Sequence, residues 1–171
     1  MHIEKKILLL LQKHNHYEHA FLALPLQFQK LFIHAYQSYI FNKYLIIRYN
    51  EYSKNFNKPL SGENLIDDLA YAPLIGSRTE LVGQSKEIYT RILLDEKVSL
   101  EDFKRKLAIK LGSRGSNRSV GMKPHKLAIT EIAEDELNPE KTRARLSFEL
   151  RKGSYATEVI KEFLNQGVFD S

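Results

Sequence analysis

Near the C-terminal end of the sequence, Arg145 to Leu150 alternate polar and apolar side chains, and Arg151-Lys152-Gly153-Ser154-Tyr155-Ala156-Thr157 comes directly after them. The alternation is that of a strand, and Arg151 to Thr157 read as a glycine turn and a helix start. Gly153 admits a backbone conformation closed to other residues, and Ser154 is placed to cap the helix, whose first turn offers unpaired N–H groups to an anion. Arg151 and Lys152 add positive charge beside it. An aromatic ring on such a corner, Tyr155, can act as a platform on which a nucleic-acid base stacks, a contact of roughly 1–3 kcal/mol. The same ring could instead close the strand-helix joint as a core residue.

A second candidate is Leu111-Gly112-Ser113-Arg114-Gly115-Ser116-Asn117-Arg118. Glycine-rich backbone can wrap a phosphate with its N–H groups while Arg114 and Arg118 grip the oxygens in bidentate fashion. The competing reading is a glycine turn whose arginines pair with carboxylates of the same chain. A shorter segment of similar character, Pro73-Leu74-Ile75-Gly76-Ser77-Arg78-Thr79, adds Arg78. From Lys104 to Lys126, a stretch that includes Lys123, there are many lysines and arginines and no aspartate or glutamate. Such a segment cannot neutralise itself locally and attracts polyanions by counterion release. It could also be a solvated basic face.

Composition narrows the classes. With 26 Lys+Arg against 21 Asp+Glu the net charge is +5, and 43% hydrophobic with 27% charged residues is the balance of a globular chain. The absence of cysteine excludes disulfides and thiolate metal sites. His14, His16 and His19 cluster, but Asn15 and Tyr17 between them favour a polar helix exit over a metal-binding face. No metal site is expected there. Apolar runs such as Ile7 to Leu11 fall far short of the ~20 residues of a membrane span, and a cytoplasmic location is expected.

Periodicity predicts the elements that must position these residues. Helices are predicted over Glu4 to His14, from after Pro25 to about Tyr49, over Glu87 to Leu94, and over Ser99 to Leu107 with a Ser99 cap and Asp102 at its third position. The longest of these should bury Phe28, Leu31, Phe32, Ala35, Tyr36, Tyr39, Ile40, Tyr44 and Leu45 on one broad face. Asn50 to Ala72 reads as an irregular loop, Tyr71 to Gly76 as a short extended segment, and Leu111 to Gly121 as a loop that forbids a regular element. Strands are predicted over Lys126 to Ile132 and Thr142 to Leu150, the second burying Ala144, Leu146, Phe148 and Leu150. A last helix, from about Tyr155 to Asn165, should bury Ala156, Val159, Ile160 and Phe163. The fold class expected is α+β, with a helix-rich region over residues 1–140 and a strand-helix unit over residues 141–171.

His34-Ala35-Tyr36-Gln37-Ser38-Tyr39-Ile40-Phe41-Asn42 closely resembles the signature helix of the TruD family of tRNA pseudouridine synthases, in its archaeal and eukaryotic form. Leu150 to Thr157 resembles that family's C-terminal strand-turn-helix motif, with Arg151 where proline is usual. Pro73 to Thr79 and Gly112 to Arg118 resemble two further family segments, and the similarity runs from about Ile3 to Leu164. The resemblance implies a helix-rich insertion domain plus a strand-helix unit of the catalytic sheet. It implies isomerisation of uridine to pseudouridine in tRNA, without a cofactor and with one essential aspartate. It assigns Tyr155 to packing against the target uracil, and it raises the RNA-contact reading of Arg78, Arg114, Arg118, Lys123, Arg151 and Lys152. Gln37 and Asn42 become buried amides that need hydrogen-bond partners, and Gly153 and Ser154 become parts of a structural turn. None of Asp67, Asp68, Asp95, Asp102, Asp135 and Asp170 lies in a context like the family's catalytic aspartate. The chain is therefore expected to be a C-terminal part whose partners are tRNA and an N-terminal half, separate or missing, that supplies the acid. The alternative is a non-catalytic RNA-binding or interaction module of the same descent.

Overall fold

The computed structural model describes residues 3–14 and 16–164 and has an α+β fold in two compact units, Met1–Val120 and Gly121–Ser171. The units part between Val120 and Gly121, and the turn near residue 140 lies within the second unit, between two strands that pair with each other. Among the described residues no helix is long and apolar enough to cross a membrane.

The first unit opens with α1 (Ile3–His14) and α2 (Tyr17–Leu22), followed by the long α3 (Leu26–Ile47). Pro25 sits at the N-cap of α3, where its missing N–H costs nothing. The joint between α2 and α3 is tied by Gln29, whose amide donates to the carbonyls of Leu24 at 2.8 Å and Leu22 at 3.1 Å. The buried face of α3 keeps only part of the expected stripe, Ile40 and Tyr44 in the core with Tyr36 and Leu45 packed against it. Leu31, Phe32 and Tyr39 are exposed, and burial follows Gln29, Gln37, Ile40, Phe41 and Tyr44. Two polar side chains fix this rotation, Gln37 and the fully buried Arg48, because each finds its partners in distant loops.

At Arg48 the helix widens into a π-helical turn, Arg48–Tyr52, closed by Ser53 N–H donating to the Arg48 carbonyl at 2.9 Å. The Arg48 guanidinium is covered on every side. It donates to both oxygens of Glu63 at 2.7 and 3.0 Å and to the carbonyls of Ser53 and Lys58 at 2.9 and 3.0 Å. Glu63 also accepts from Tyr44 Oη at 2.7 Å and from Leu60 N–H at 2.8 Å. This network organises residues 53–63, which sequence periodicity leaves shapeless.

The segment expected to be an irregular loop contains β1 (Asn64–Ile66) and runs into β2 (Leu69–Leu74), joined by Asp67 and Asp68 with φ of 48° and 59°. Two positive-φ residues between strands in register Ile66↔Leu69 make the kind of turn that matches strand twist, and aspartate tolerates that conformation. The glycine-rich segment likewise holds β3 (Ser116–Ser119), antiparallel to β2 in the register Tyr71↔Ser119 to Leu74↔Ser116. Its small polar side chains carry no strand signal; the pairing comes from the backbone of β2. Between these strands lie α4 (Gly83–Asp95), α5 (Leu100–Phe103) and α6 (Lys106–Lys110). The predicted capping box at Ser99 and Asp102 is present, but the helix it starts ends at Phe103. The core packs Ile40, Phe41 and Tyr44 of α3 with Ile88, Tyr89 and Ile92 of α4 and with Ala70, Ala72 and Ile75. The Tyr44 and Tyr89 rings stack at 4.6 Å.

The second unit is a hairpin of β4 (His125–Glu134) and β5 (Thr142–Glu149), then α7 (Ala156–Phe163). Its apolar side chains are less covered than the sequence pattern suggests. Leu146, Phe148 and Leu150 are half-buried and Ala144 is exposed. Leu127, Ile129 and Ile132 of β4 are exposed as well. On α7 only Val159 is buried, while Ile160 and Phe163 are exposed. Two strands and an eight-residue helix hold too few side chains to cover each other.

Candidate nucleic-acid interface

Three of the segments singled out in the sequence, Pro73–Thr79, Leu111–Arg118 and His34–Asn42, bear on one region of the first unit's structure. Gly76 and Gly115 are its pivot. A Cβ added at Gly76 would lie 2.1 Å from the Gly115 nitrogen and 2.4 Å from the Arg114 carbonyl carbon, so the two loops cross in direct backbone contact. The crossing continues as Ser77 N–H to Ser113 O at 2.7 Å and Arg78 N–H to Arg114 O at 3.0 Å. Thr79 closes the first loop, its hydroxyl accepting from Gly76 N–H at 2.9 Å and donating to Leu74 O at 3.2 Å.

The His34–Asn42 string of α3 docks on the same loops. Gln37, 2% exposed, donates to the Ile75 carbonyl at 2.6 Å, and its Oε1 lies 3.1 Å from His34 Nδ1. Arg118 donates to Ser38 Oγ at 3.2 Å and lies over the Phe41 ring, 5.5 Å from its centre. Asn42 departs from expectation. It is exposed, because the rotation that buries Gln37 and Phe41 turns it outward.

The charges decide what this region can hold. Arg78 and Arg114 are exposed, and neither guanidinium has a hydrogen-bond or ion-pair partner among the described residues. Arg118 contacts a hydroxyl and a ring but no carboxylate among them. Elsewhere arginines do find acids: Arg91 pairs with Glu51, Arg105 with Asp102, and Arg143 and Arg145 with Glu131. Arg78 and Arg114 face a groove of about 690 Å³ that Asn64, Asn117 and Glu80 also line. The groove lies beside Pro73, where β1 no longer pairs with β2. Glu63 reaches its wall, but the carboxylate is fully covered and neutralised by Arg48. Burial pushes the Tyr44 hydroxyl well above the usual tyrosine range, as it does Tyr89, so Tyr44 remains a hydrogen-bond donor to Glu63.

The remaining candidates belong to the second unit. At the strand-helix corner, Gly153 has φ +93°, Ser154 N–H bonds the Arg151 carbonyl at 3.1 Å, and a Cβ at Gly153 would meet nothing within 4 Å. The glycine is there for its backbone conformation alone. Ser154 does not cap α7; Tyr155 occupies the N-cap, with no side-chain cap bond. The Tyr155 ring is 71% exposed, so it does not fill a core. Lys123, Arg151 and Lys152 are exposed.

The described aspartates occupy turns and helix ends. Asp67 and Asp68 make the β1–β2 turn, Asp95 ends α4, Asp102 closes the Ser99 capping box, and Asp135 accepts from Leu137 and Asn138. Hydrogen bonds from Ser99 hold Asp102, and one from Asn138 holds Asp135, below the usual carboxylate range. Asp170 lies outside the described residues. Among those described, no group of three His, Cys, Asp or Glu residues could hold a metal ion. The side chain of His14 lies outside them; His16 and His19 stack at 5.1 Å. The feature that sequence reasoning missed is the Arg48–Glu63 pair, since an arginine at a helix end ordinarily reads as solvated.

Comparison with known proteins places this geometry in context. The family model described as "tRNA pseudouridine synthase D (TruD)" matches residues 1–71 and 69–163. A "Probable tRNA pseudouridine synthase D" of Methanopyrus kandleri is 36% identical over 169 residues, which cover 97% of this chain and 40% of the relative. A "Probable tRNA pseudouridine synthase D 2" of Methanocaldococcus jannaschii is 34% identical over 88% of this chain and 39% of its own length. The crystal structure of a TruD protein from Methanosarcina mazei superposes with a TM-score of 0.73 at 31% identity, over 95% of this chain and 44% of that one. The chain thus spans about two fifths of the length of these relatives, and over that span it belongs to the tRNA pseudouridine synthase D (TruD) family.

Proposed function

We propose that this chain is the RNA-gripping, base-stacking part of a tRNA pseudouridine synthase, a C-terminal half that works with an N-terminal half supplying the catalytic aspartate. The observation that carries the RNA reading is the set of three arginines, Arg78, Arg114 and Arg118, held by the interlocked glycine loops and α3 with no carboxylate partner among the described residues. An arginine beside a structural acid is already neutralised. These three keep their charge for a phosphate backbone. Tyr155 stacks on the target uracil, and its exposed ring at a helix start supports that role. Lys123, Arg151 and Lys152 are exposed cations of the second unit, suited to phosphate contacts of its own.

Pseudouridine formation cuts the N-glycosidic bond of a uridine and rejoins the base through carbon. It needs an aspartate in a shielded cleft, and the described aspartates here serve turns and caps. The need for the other half, on a separate chain or on the same one, is supported by the 40% coverage of the relatives and by the uncovered apolar side chains of β4 and α7. The test is to purify the chain alone and together with the N-terminal half of a relative, then assay uridine isomerisation in a tRNA transcript. Activity that arises only on mixing supports the division of labour between the two halves. Salt-dependent tRNA binding with no activity in either preparation means an RNA-binding module without catalysis.

A further inference from the structure

Gln37 is nearly sealed from solvent, and the Ile75 carbonyl beside it can only accept. The Gln37 amide must therefore point its N–H₂ at Ile75, since the opposite orientation would press two oxygens together at 2.6 Å in a dry site. That leaves Gln37 Oε1 facing His34 Nδ1 at 3.1 Å, and an amide oxygen can only accept. Nδ1 must then carry the ring proton. In the neutral imidazole the free lone pair is consequently on Nε2, on the far side of the ring.

The surroundings of Nε2 are open. It makes no hydrogen bond among the described residues, His34 is exposed, and Gly112 lies close by. A Cβ added at Gly112 would stand 3.9 Å from Nε2 and touch nothing else within 4 Å. One helical turn along α3, Ser38 bonds the His34 carbonyl at 2.9 Å and receives Arg118 at 3.2 Å. A fixed acceptor and a cation thus lie side by side, bordering the loop that carries Arg114. Arg118 suits a phosphate, which has no proton to give. A pyridine-like Nε2 does not; it needs an O–H or N–H.

We propose that His34 is a further RNA-contact residue, its Nε2 accepting a hydrogen bond from a ribose 2′-hydroxyl or a base amino group next to the phosphate held by Arg118, and that Gln37 is the positioning residue that sets its tautomer. This rests on the reading of the surface as RNA-binding. A contact of this kind distinguishes RNA from DNA when the donor is the 2′-hydroxyl.

The experiment uses the full chain labelled with ¹⁵N at histidine and in the backbone, titrated with an unmodified tRNA transcript. Long-range ¹H–¹⁵N correlations of the free chain are expected to show His34 protonated on Nδ1. Saturation with the transcript is expected to shift the Nε2 resonance. His34→Phe is expected to weaken binding about fivefold, the weight of one ordinary hydrogen bond, with the native circular dichroism spectrum retained although the loss of the bond to Gln37 lowers the melting temperature. If the donor is the 2′-hydroxyl, a 2′-deoxy strand binds the native chain and His34→Phe equally; if it is a base amino group, the deoxy strand still loses affinity on His34→Phe. A protonated Nε2 in the free chain, or an Nε2 signal that stays still while the amides of Arg78 and Arg114 move, overturns the proposal and leaves RNA binding standing. Stillness of all these signals overturns both.

Discussion

Replacing Arg48 by methionine removes a charge around which the carboxylate of Glu63 and the carbonyls of Ser53 and Lys58 are arranged. The substitution leaves the Glu63 carboxylate fully covered, with only Tyr44 Oη and Leu60 N–H as donors, and it strands the two carbonyls. Removing one partner of a buried ion pair costs about 3–5 kcal/mol. For a unit of this size, at about 4 °C per kcal/mol, that corresponds to a fall of about 12–20 °C in melting temperature. Arg48→Met with Glu63→Met should cost less than the sum of the two single changes, because neither charge is then left unpaired. Urea unfolding followed by near-ultraviolet circular dichroism is the suitable assay, since the stacked Tyr44 and Tyr89 rings lie in the same core and report this unit. If Arg48→Met costs less than about 1 kcal/mol and the two changes simply add, the pair is hydrated and does not organise residues 53–63.

Arg78→Ala combined with Arg114→Ala should leave stability within about 0.5 kcal/mol, because neither guanidinium has a partner to lose among the described residues. The same variant should make the dependence of log tRNA affinity on log salt shallower by about 1.4–1.8, read by filter binding at several salt concentrations. Tyr155→Ala in the assembled enzyme should lower turnover roughly 5- to 150-fold, the weight of one base stack, with an unchanged melting curve; equal damage to folding would make the ring a structural one. Tyr44 and Tyr89 both have hydroxyls raised above the ordinary value of 10.0 by burial. A raised folded value for a group that is neutral when protonated means that the fold is at full strength below about pH 10 and weakens as pH climbs toward the folded values, so unfolding should set in on the alkaline side. Tyrosinate absorbance should rise together with loss of near-ultraviolet dichroism, and Tyr89→Phe should delay both.

What the sequence discloses here is what is local. The α3 pattern, the Ser99–Asp102 box and the two long strands each rest on side chains a few residues apart, and all are where periodicity puts them. The β1–β2 hairpin escapes because its turn is Asp67-Asp68 and β1 is three residues long, too short to show alternation. β3 escapes because its register comes from β2, more than 40 residues earlier. The face that α3 buries is chosen by Gln37 and Arg48, whose partners Ile75 and Glu63 are 38 and 15 residues away. Apolarity alone therefore finds only part of the buried stripe. For the interface, Arg78, Arg114 and Arg118 are visible as types, but their gathering depends on the contact of Gly76 with Gly115, which no spacing discloses.

That glycine contact has a bearing on how a ligand would be received. Two loops fused backbone to backbone behave as a single stiff jaw, and a strand landing on Arg78 and Arg114 has little chain to order before it is held. Capture by a pre-shaped surface differs from capture by a segment that folds around its guest. It leaves only a small heat-capacity decrement on association and lets complexes form at a pace set by diffusion and charge.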